Sequence, residues 1–319
     1  MSEFSATELA NGLRQATVNL LWRQWGTIGG GATGQDRTLT TVDPEALILM
    51  SLTMLEHERR LADVVWSWVE VNHALISVQR LRNLVKGFPA SAGQRLAAIA
   101  RFRTTSEGDP RWESLTHVAP DDFDRRAGKR TAAEPVFSSW ATLLLQLRVG
   151  MGVGAKADVL SFVLGLNASV PEWASVSMIA EATGYTAAAV RRVADDLAAA
   201  RFIRVLNTPD TDQSARMFSA GPAAWANLLG IGYHQPGWGY WRERFRFVVE
   251  VLAWADHEAG HPSSPYAQDV ASRDLLTRHG AALRRDQVVK PHDFAVAALD
   301  RRDLTETARS LTTWWATHG

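Results

Sequence analysis

Val176-Ser-Met-Ile-Ala-Glu-Ala-Thr-Gly-Tyr-Thr-Ala-Ala-Ala-Val-Arg-Arg-Val-Ala-Asp195 is the stretch on which the reading of this 319-residue chain turns. Apolar residues recur at helical spacing on both sides of one glycine, so two short helices joined by a tight turn are expected. Ala180 is small enough to let the two helices cross closely, and Gly184 adopts the positive φ of the turn at no steric cost. The Thr186 hydroxyl is placed to cap the second helix. Ile179, Tyr185, Val190 and Val193 take the buried positions, which leaves Ala187, Ala188, Ala189, Arg191 and Arg192 facing outward.

The flanks extend this pattern in a definite order. The second helix runs to about Ala200 with Leu197 on its buried face, and Phe202-Ile-Arg-Val-Leu206 then reads as a strand. Asn207 to Gln213 has the composition of a turn, and Arg216-Met-Phe-Ser219 returns as the partner strand. Ahead of the quoted stretch, Lys156 to Leu164 supplies a leading helix. Helix, helix-turn-helix and hairpin over about residues 155–230 together resemble the winged helix-turn-helix of regulators of the MarR and ArsR type.

That resemblance implies a sequence-specific transcriptional regulator that binds double-stranded DNA, as a homodimer reading a two-fold site. It assigns DNA contact to Thr186, Ala187, Ala188, Arg191 and Arg192 at the start of the second helix, and to Arg204 and Arg216 beside the wing. It implies no catalytic residue, no cofactor and no metal. Alanine side chains touch a thymine methyl but make no bidentate hydrogen bond to a base, so the arginines must supply the polar contacts. From Leu145 to Gly230 seven basic residues face seven acidic ones, and the wing tip carries Asp210 and Asp212. Each monomer is therefore expected to neutralise few phosphates. The same scaffold used as a non-catalytic protein-interaction module is the alternative reading.

Outside the module the chain reads as mainly α. Residues 1–103 form a helical segment with stripes at about 7–25, 60–73, 77–86 and 91–103, and Asp43-Pro44-Glu45 opens a further helix as N-cap, first position and first-turn acid. No stretch of this half has the alternation of a strand. Residues 104–135, broken by Gly108, Pro110, Pro120 and Gly128, read as a linker or long loop. Residues 136–230 then comprise a leading helix and the module, and 231–319 a helical C-terminal domain. The helical flanks are expected to supply dimerisation, or to recognise a small-molecule or protein effector.

Other signals carry less. His257-Glu-Ala-Gly-His261 matches the H-E-x-x-H pattern of zinc hydrolases, a second alternative. Gly260 and Pro262 should end the helix there and keep the two histidines apart. Gly29 to Gly34 lacks the Lys-Ser/Thr that a phosphate loop requires and reads as a flexible connection. Arg80, Arg82 and Lys86 form a basic cluster expected on a solvated face, where an auxiliary DNA contact would be open to them.

Composition sets the outer limits. At 46% hydrophobic and 21% charged residues the chain is rich enough in apolar groups to fold around a core. The 13 tryptophans, several at helical spacing, are first of all packing mass. The absence of cysteine removes disulfides and thiolate chemistry and fits a cytoplasmic protein. No apolar run reaches the ~20 residues of a membrane span. Thirty-four basic residues balance 34 acidic ones, so any nucleic-acid contact must rest on local segregation of charge.

Overall fold

The computed structural model describes residues 5–31, 38, 40–119, 123, 132–137, 139–166, 173–207, 216–231, 237–284 and 299–318. In chain order the elements are α1 (Ala6–Thr27), β1 (Thr40–Thr41), α2 (Pro44–Thr53), α3 (Leu61–Asn72), α4 (Val78–Leu84), α5 (Ala90–Thr105), α6 (Leu143–Met151), α7 (Ala155–Gly165) and β2 (Ala174–Ser175). They continue as α8 (Val176–Thr183), α9 (Ala187–Ala199), β3 (Arg204–Asn207), β4 (Arg216–Ser219), α10 (Pro222–Leu229), β5 (Gly237–Trp238), α11 (Trp241–Gly260), α12 (Pro265–Arg284) and α13 (Arg301–His318). The mainly helical class expected from the sequence is what the chain adopts.

Helix α2 shows why the first core forms where it does. Asp43 caps it by accepting from the Ala46 amide at 3.1 Å, and Pro44 occupies its first turn, as the sequence suggests. Every residue from Pro44 to Leu52 is buried, because a helix apolar on all sides has to be enclosed. Helices α1, α3, α4, α5 and α11 pack against it, and α12 and α13 join the same core from the other end of the chain. The helices of residues 1–103 and those from Trp241 onward, which read as two separate helical segments, thus share one core, while Ile231, Trp238 and Tyr240 pack in the second. Helices α1 and α11, far apart in the chain, pack against each other within the first core. Trp25, Trp68, Trp112, Trp241 and Trp315 are fully buried, which is the packing role expected of the tryptophans.

The described part of 104–135 is not a free linker. A 3₁₀ turn, Pro110–Leu115, packs along α5 and seats Trp112 in the first core. Further on, Ala132 N–H donates to Ser67 Oγ at 2.7 Å, and Ala133 N–H to the Gly29 carbonyl at 2.8 Å. Gly29 lies at φ +87°, and a Cβ there would fall 2.5 Å from the Ala133 carbonyl oxygen. This glycine serves a close approach rather than a flexible connection; residues 32–34 of the cluster lie outside the described region.

Among the described residues, the second core draws on those between Trp140 and Tyr240. Helices α7, α8 and α9 surround Phe162, Ile179, Val190, Val193 and Leu197, and the strands form an antiparallel sheet of order β2-β4-β3. The pairing of Val205 with Phe218 sets the hairpin register. The hairpin starts at Arg204, two residues later than read from the sequence, and β2 adds a third strand too short for any periodicity to reveal. The first half also contains a strand where none was expected. Thr40 and Thr41 of β1 pair in parallel with Gly237 and Trp238 of β5, which ties the first half to the end of the second core. Among the described residues no helix is long and apolar enough to cross a membrane.

Candidate nucleic-acid interface

Gly184 ends α8 in the left-handed region, at φ +77°, with its N–H on the Ala180 carbonyl at 2.9 Å. Thr186 Oγ1 then accepts from the Ala189 amide at 3.3 Å and starts α9. Along α9 the outer face is ordered by charge. Thr186, Ala187, Ala188, Arg191 and Arg192 are exposed, and neither arginine makes an ion pair among the described residues. The two acids of the helix, Asp195 and Asp196, come one turn later and are compensated. Asp195 accepts from Arg216 of β4, and Asp196 faces Lys156 of α7 at 3.3 Å.

Arg216, assigned beside the wing, has its guanidinium held by Asp195 of α9 and lying over the Phe218 ring. Arg204 on β3 is exposed, with its guanidinium beside Gly221. The wing tip with Asp210 and Asp212 lies outside the described residues.

What orients α9 is a buried charge network at the junction of the two cores. Arg80 of α4, expected on a solvated face, is fully buried. Its Nη1 donates to Asp43 Oδ1 at 2.6 Å and Glu45 Oε2 at 2.7 Å, its Nη2 to Asp43 Oδ2, and its Nε to the Thr183 carbonyl at 2.6 Å. Arg148 of α6 donates from Nε to Asp158 Oδ1 (2.9 Å) and from Nη2 to Asp158 Oδ2 and Glu45 Oε2 (both 2.9 Å). Its Nη1 reaches Glu45 Oε1 (2.6 Å) and the Leu75 carbonyl (2.8 Å), so all five of its N–H donors are used. Tyr185, the first residue after the turn, donates to Asp158 Oδ2 at 2.9 Å. Two arginines and three carboxylates thus lie where α2, α4, α6, α7 and the α8–α9 turn meet.

Burial works against charge here, and for Glu45, Arg80 and Arg148 the partners outweigh it. Burial works against the Glu45 carboxylate, but Arg148 and then Arg80, with the Ser77 N–H at 2.8 Å, hold its pKa below the usual range. Arg80 stays charged because Asp43 and Glu45 outweigh its desolvation, and Arg148 because Asp158 and Glu45 do the same. Burial, and then the adjacent Asp158, push the Tyr185 phenol upward, so it stays protonated and donates to Asp158, with Ser77 Oγ 3.3 Å from the same oxygen. A network of this kind adds little net stability over apolar packing, but breaking it is costly, so its effect is to fix geometry.

The sequence carried an unread signal for this network. At 3.6 residues per turn Arg80 lies about 40° from Leu84 around α4, on the arc of Leu81 and Leu84 rather than that of Arg82 and Lys86. Arg148 likewise lies inside the run Leu143–Val149, and Asp158 sits between Ala157 and the run Val159–Leu164. Charges inside apolar faces are candidates for burial in pairs.

The H-E-x-x-H segment offers no comparable arrangement. Helix α11 does end at Gly260, as Gly260 and Pro262 suggested, with His261 as its C-cap. The two imidazoles nevertheless approach, with ring centroids 5.7 Å apart, so the expectation that they stand apart is corrected. Glu258, which a hydrolase would need to activate water, is taken up by Ser263 N–H (2.9 Å), Ser263 Oγ (2.8 Å) and Gln268 Nε2 (3.1 Å). Among the described residues no group of three or more His, Cys, Asp or Glu side chains is placed to hold a metal ion.

Comparison of the chain with protein-family models, with curated proteins and with solved structures finds no match.

Proposed function

We propose that this chain is a DNA-binding transcriptional regulator in which about residues 155–230 act as a winged helix-turn-helix and α9 is the recognition helix. The observation that carries the reading is the segregation of charge along α9. In a protein with no net charge, the exposed first two turns hold Thr186, Ala187, Ala188, Arg191 and Arg192 and no acid, while Asp195 and Asp196 are neutralised behind them. Entry of that end into the major groove brings the alanines to thymine methyls, and the arginines to guanine edges or phosphates. The positive end of the helix dipole faces the same way.

Arg204 and Arg216 support the wing side of this interface. The Arg216–Asp195 pair is exposed, and such pairs are worth about 0–1 kcal/mol, so exchanging the carboxylate for a phosphate costs little. With so few cations per module, tight binding requires two modules on one two-fold site, hence a homodimer. The core shared by the N-terminal helices and those from Trp241 onward is then the part available for dimerisation or for an effector.

The test is binding to DNA from the region upstream of the protein's own gene, measured by fluorescence anisotropy. Replacing Arg191 and Arg192 together by alanine should leave the fold intact, since both are exposed, and should weaken binding at least tenfold. Equal affinity of variant and parent would remove α9 from the interface. A parent that bound no such fragment at low salt would leave the protein-interaction module as the better reading.

A further inference from the structure

We propose that α4 of the first core is a second phosphate-contacting edge of the DNA interface, with Arg82 and Lys86 as its contacts. The inference rests on the DNA-binding reading above and extends the surface beyond the helix-turn-helix module. Helix α4 is two-sided. Val78, Arg80, Leu81 and Leu84 are buried, while Gln79, Arg82 and Lys86 are exposed at i, i+3 and i+7 and form one stripe, edged by the half-buried Asn83 at i+4. Lys86 lies in the 3₁₀ turn Val85–Gly87 that continues α4. The stripe carries two positive charges and no negative one.

Its position follows from what Asn83 and its neighbours touch. Asn83 Nδ2 donates to the Gly184 carbonyl at 3.1 Å, in the turn that delivers α9. Leu84 sits beneath the same residue, so a Cβ at Gly184 would fall 3.0 Å from Leu84 Cδ2. Arg80, one turn back, grips the Thr183 carbonyl and is itself locked by Asp43 and Glu45. Helix α4 is thus fixed against the turn by bonds from a buried charge network, and its exposed side emerges next to the N-terminus of α9. Two flanking arginines add to the field. Arg242 of α11 donates to the carbonyl of Glu181, the acid nearest the turn in the α8 sequence, at 2.8 Å. The Arg246 side chain crosses Gly87, where an added Cβ would lie 2.8 Å from its Cδ, and its one acidic neighbour among the described residues is Glu250 at 3.9 Å.

A recognition helix seated in the major groove has phosphate backbone on both flanks, and the wing covers only one of them. Helix α4 stands at the turn before α9 and β4 near its other end, so phosphates beyond the N-terminal end of α9 fall to α4. The partner chemistry is therefore a row of phosphodiesters contacted without regard to sequence.

Salt dependence separates this inference from the reading it rests on. The full chain and its R82A/K86A variant are compared on the fragment the parent binds, and on an unrelated duplex, from 50 to 300 mM salt. Each lost phosphate contact lowers the slope of log affinity against log salt by about one, so the variant should show a slope smaller by about two on both duplexes. Its preference for the specific fragment should be unchanged. A control variant, R302A/R309A, removes two equally exposed charges from α13 and should keep the parent slope. If R82A/K86A also kept that slope while the Arg191/Arg192 variant lost binding, α4 would be outside the interface and the DNA-binding reading would stand. If the parent bound neither duplex, both would fall.

Discussion

The two cores of this protein are built in opposite ways. The second closes within the segment from Trp140 to Tyr240, so nearly every side chain that packs in it comes from a neighbouring element of the chain. The first joins α1 and α2 to α11 and α13, whose residues lie about as far away in sequence as the chain allows. A local core can be read from spacing and turn chemistry, because each element announces its neighbour. A non-local core cannot, since an apolar stripe specifies that it must be covered and not by what. The difference also divides the work: the local core presents the exposed α9, and the non-local core grips the turn that aims it.

The largest test of that contrast is removal of everything from Trp241 onward. This deletes Phe245, Val248, Val251 and Trp315 from the first core and none of the second. Trp25 and Trp68 should become solvent-exposed by fluorescence, with the first core losing its cooperative unfolding in urea. Retention of a parent-like transition would mean that the N-terminal helices close a core by themselves.

Next in size, Arg148→Ala should cost about 3–5 kcal/mol, because it leaves Glu45 and Asp158 buried without their shared partner. Chemical denaturation measures it, and a loss under 1 kcal/mol would show that the junction is not held by these charges. The same network predicts an acid limb. Glu45 has a folded pKa below its ordinary value of 4.5, so its contribution is complete above that pH and is lost as pH falls through the folded value. Asp109, held down at about 2 mainly by hydrogen bonds from Arg111, acts in the same direction, more weakly because it is near the surface. A Glu45→Gln variant, destabilised at neutral pH, should show a flatter loss of stability below pH 4.5 than the parent.

Trp112→Ala should cost a further range of about 3–5 kcal/mol, as large-to-small changes of a buried aromatic do. A value near zero would return residues 104–119 to the status of a linker. Smallest is Thr186→Ala, which removes the cap of α9 and should cost about 1 kcal/mol in global stability. Hydrogen exchange should report faster opening in the first turn of α9 and little change in α1 or α11, if the cap matters only locally.

Legibility followed the same division. The bounds of α8, the Gly184 turn and the Thr186 cap were readable because each depends on a residue type with a specific local geometry. Asp43 was readable as a cap for the same reason, yet the cap is half of its role, since its other contacts come from Arg80 on a different helix. Arg216 has the sequence context of a free wing cation, and only the course of β4 beside α9 commits it to Asp195. Residues 104–119 have the glycine and proline of a loop, and only the space along α5 turns Trp112 into a core residue.

The sequence by itself therefore determined the local alphabet: mainly helical structure, two short helices around Gly184, a following hairpin, and an outer face of alanines and arginines. Those follow from spacing, backbone freedom and capping, which act within a few residues. Tertiary structure alone decided that the ends of the chain share a core, that Arg80 is buried while Arg82 is exposed, and that five charges converge beneath the turn. Burial and charge pairing depend on which surfaces meet, and distance along the chain says nothing about that.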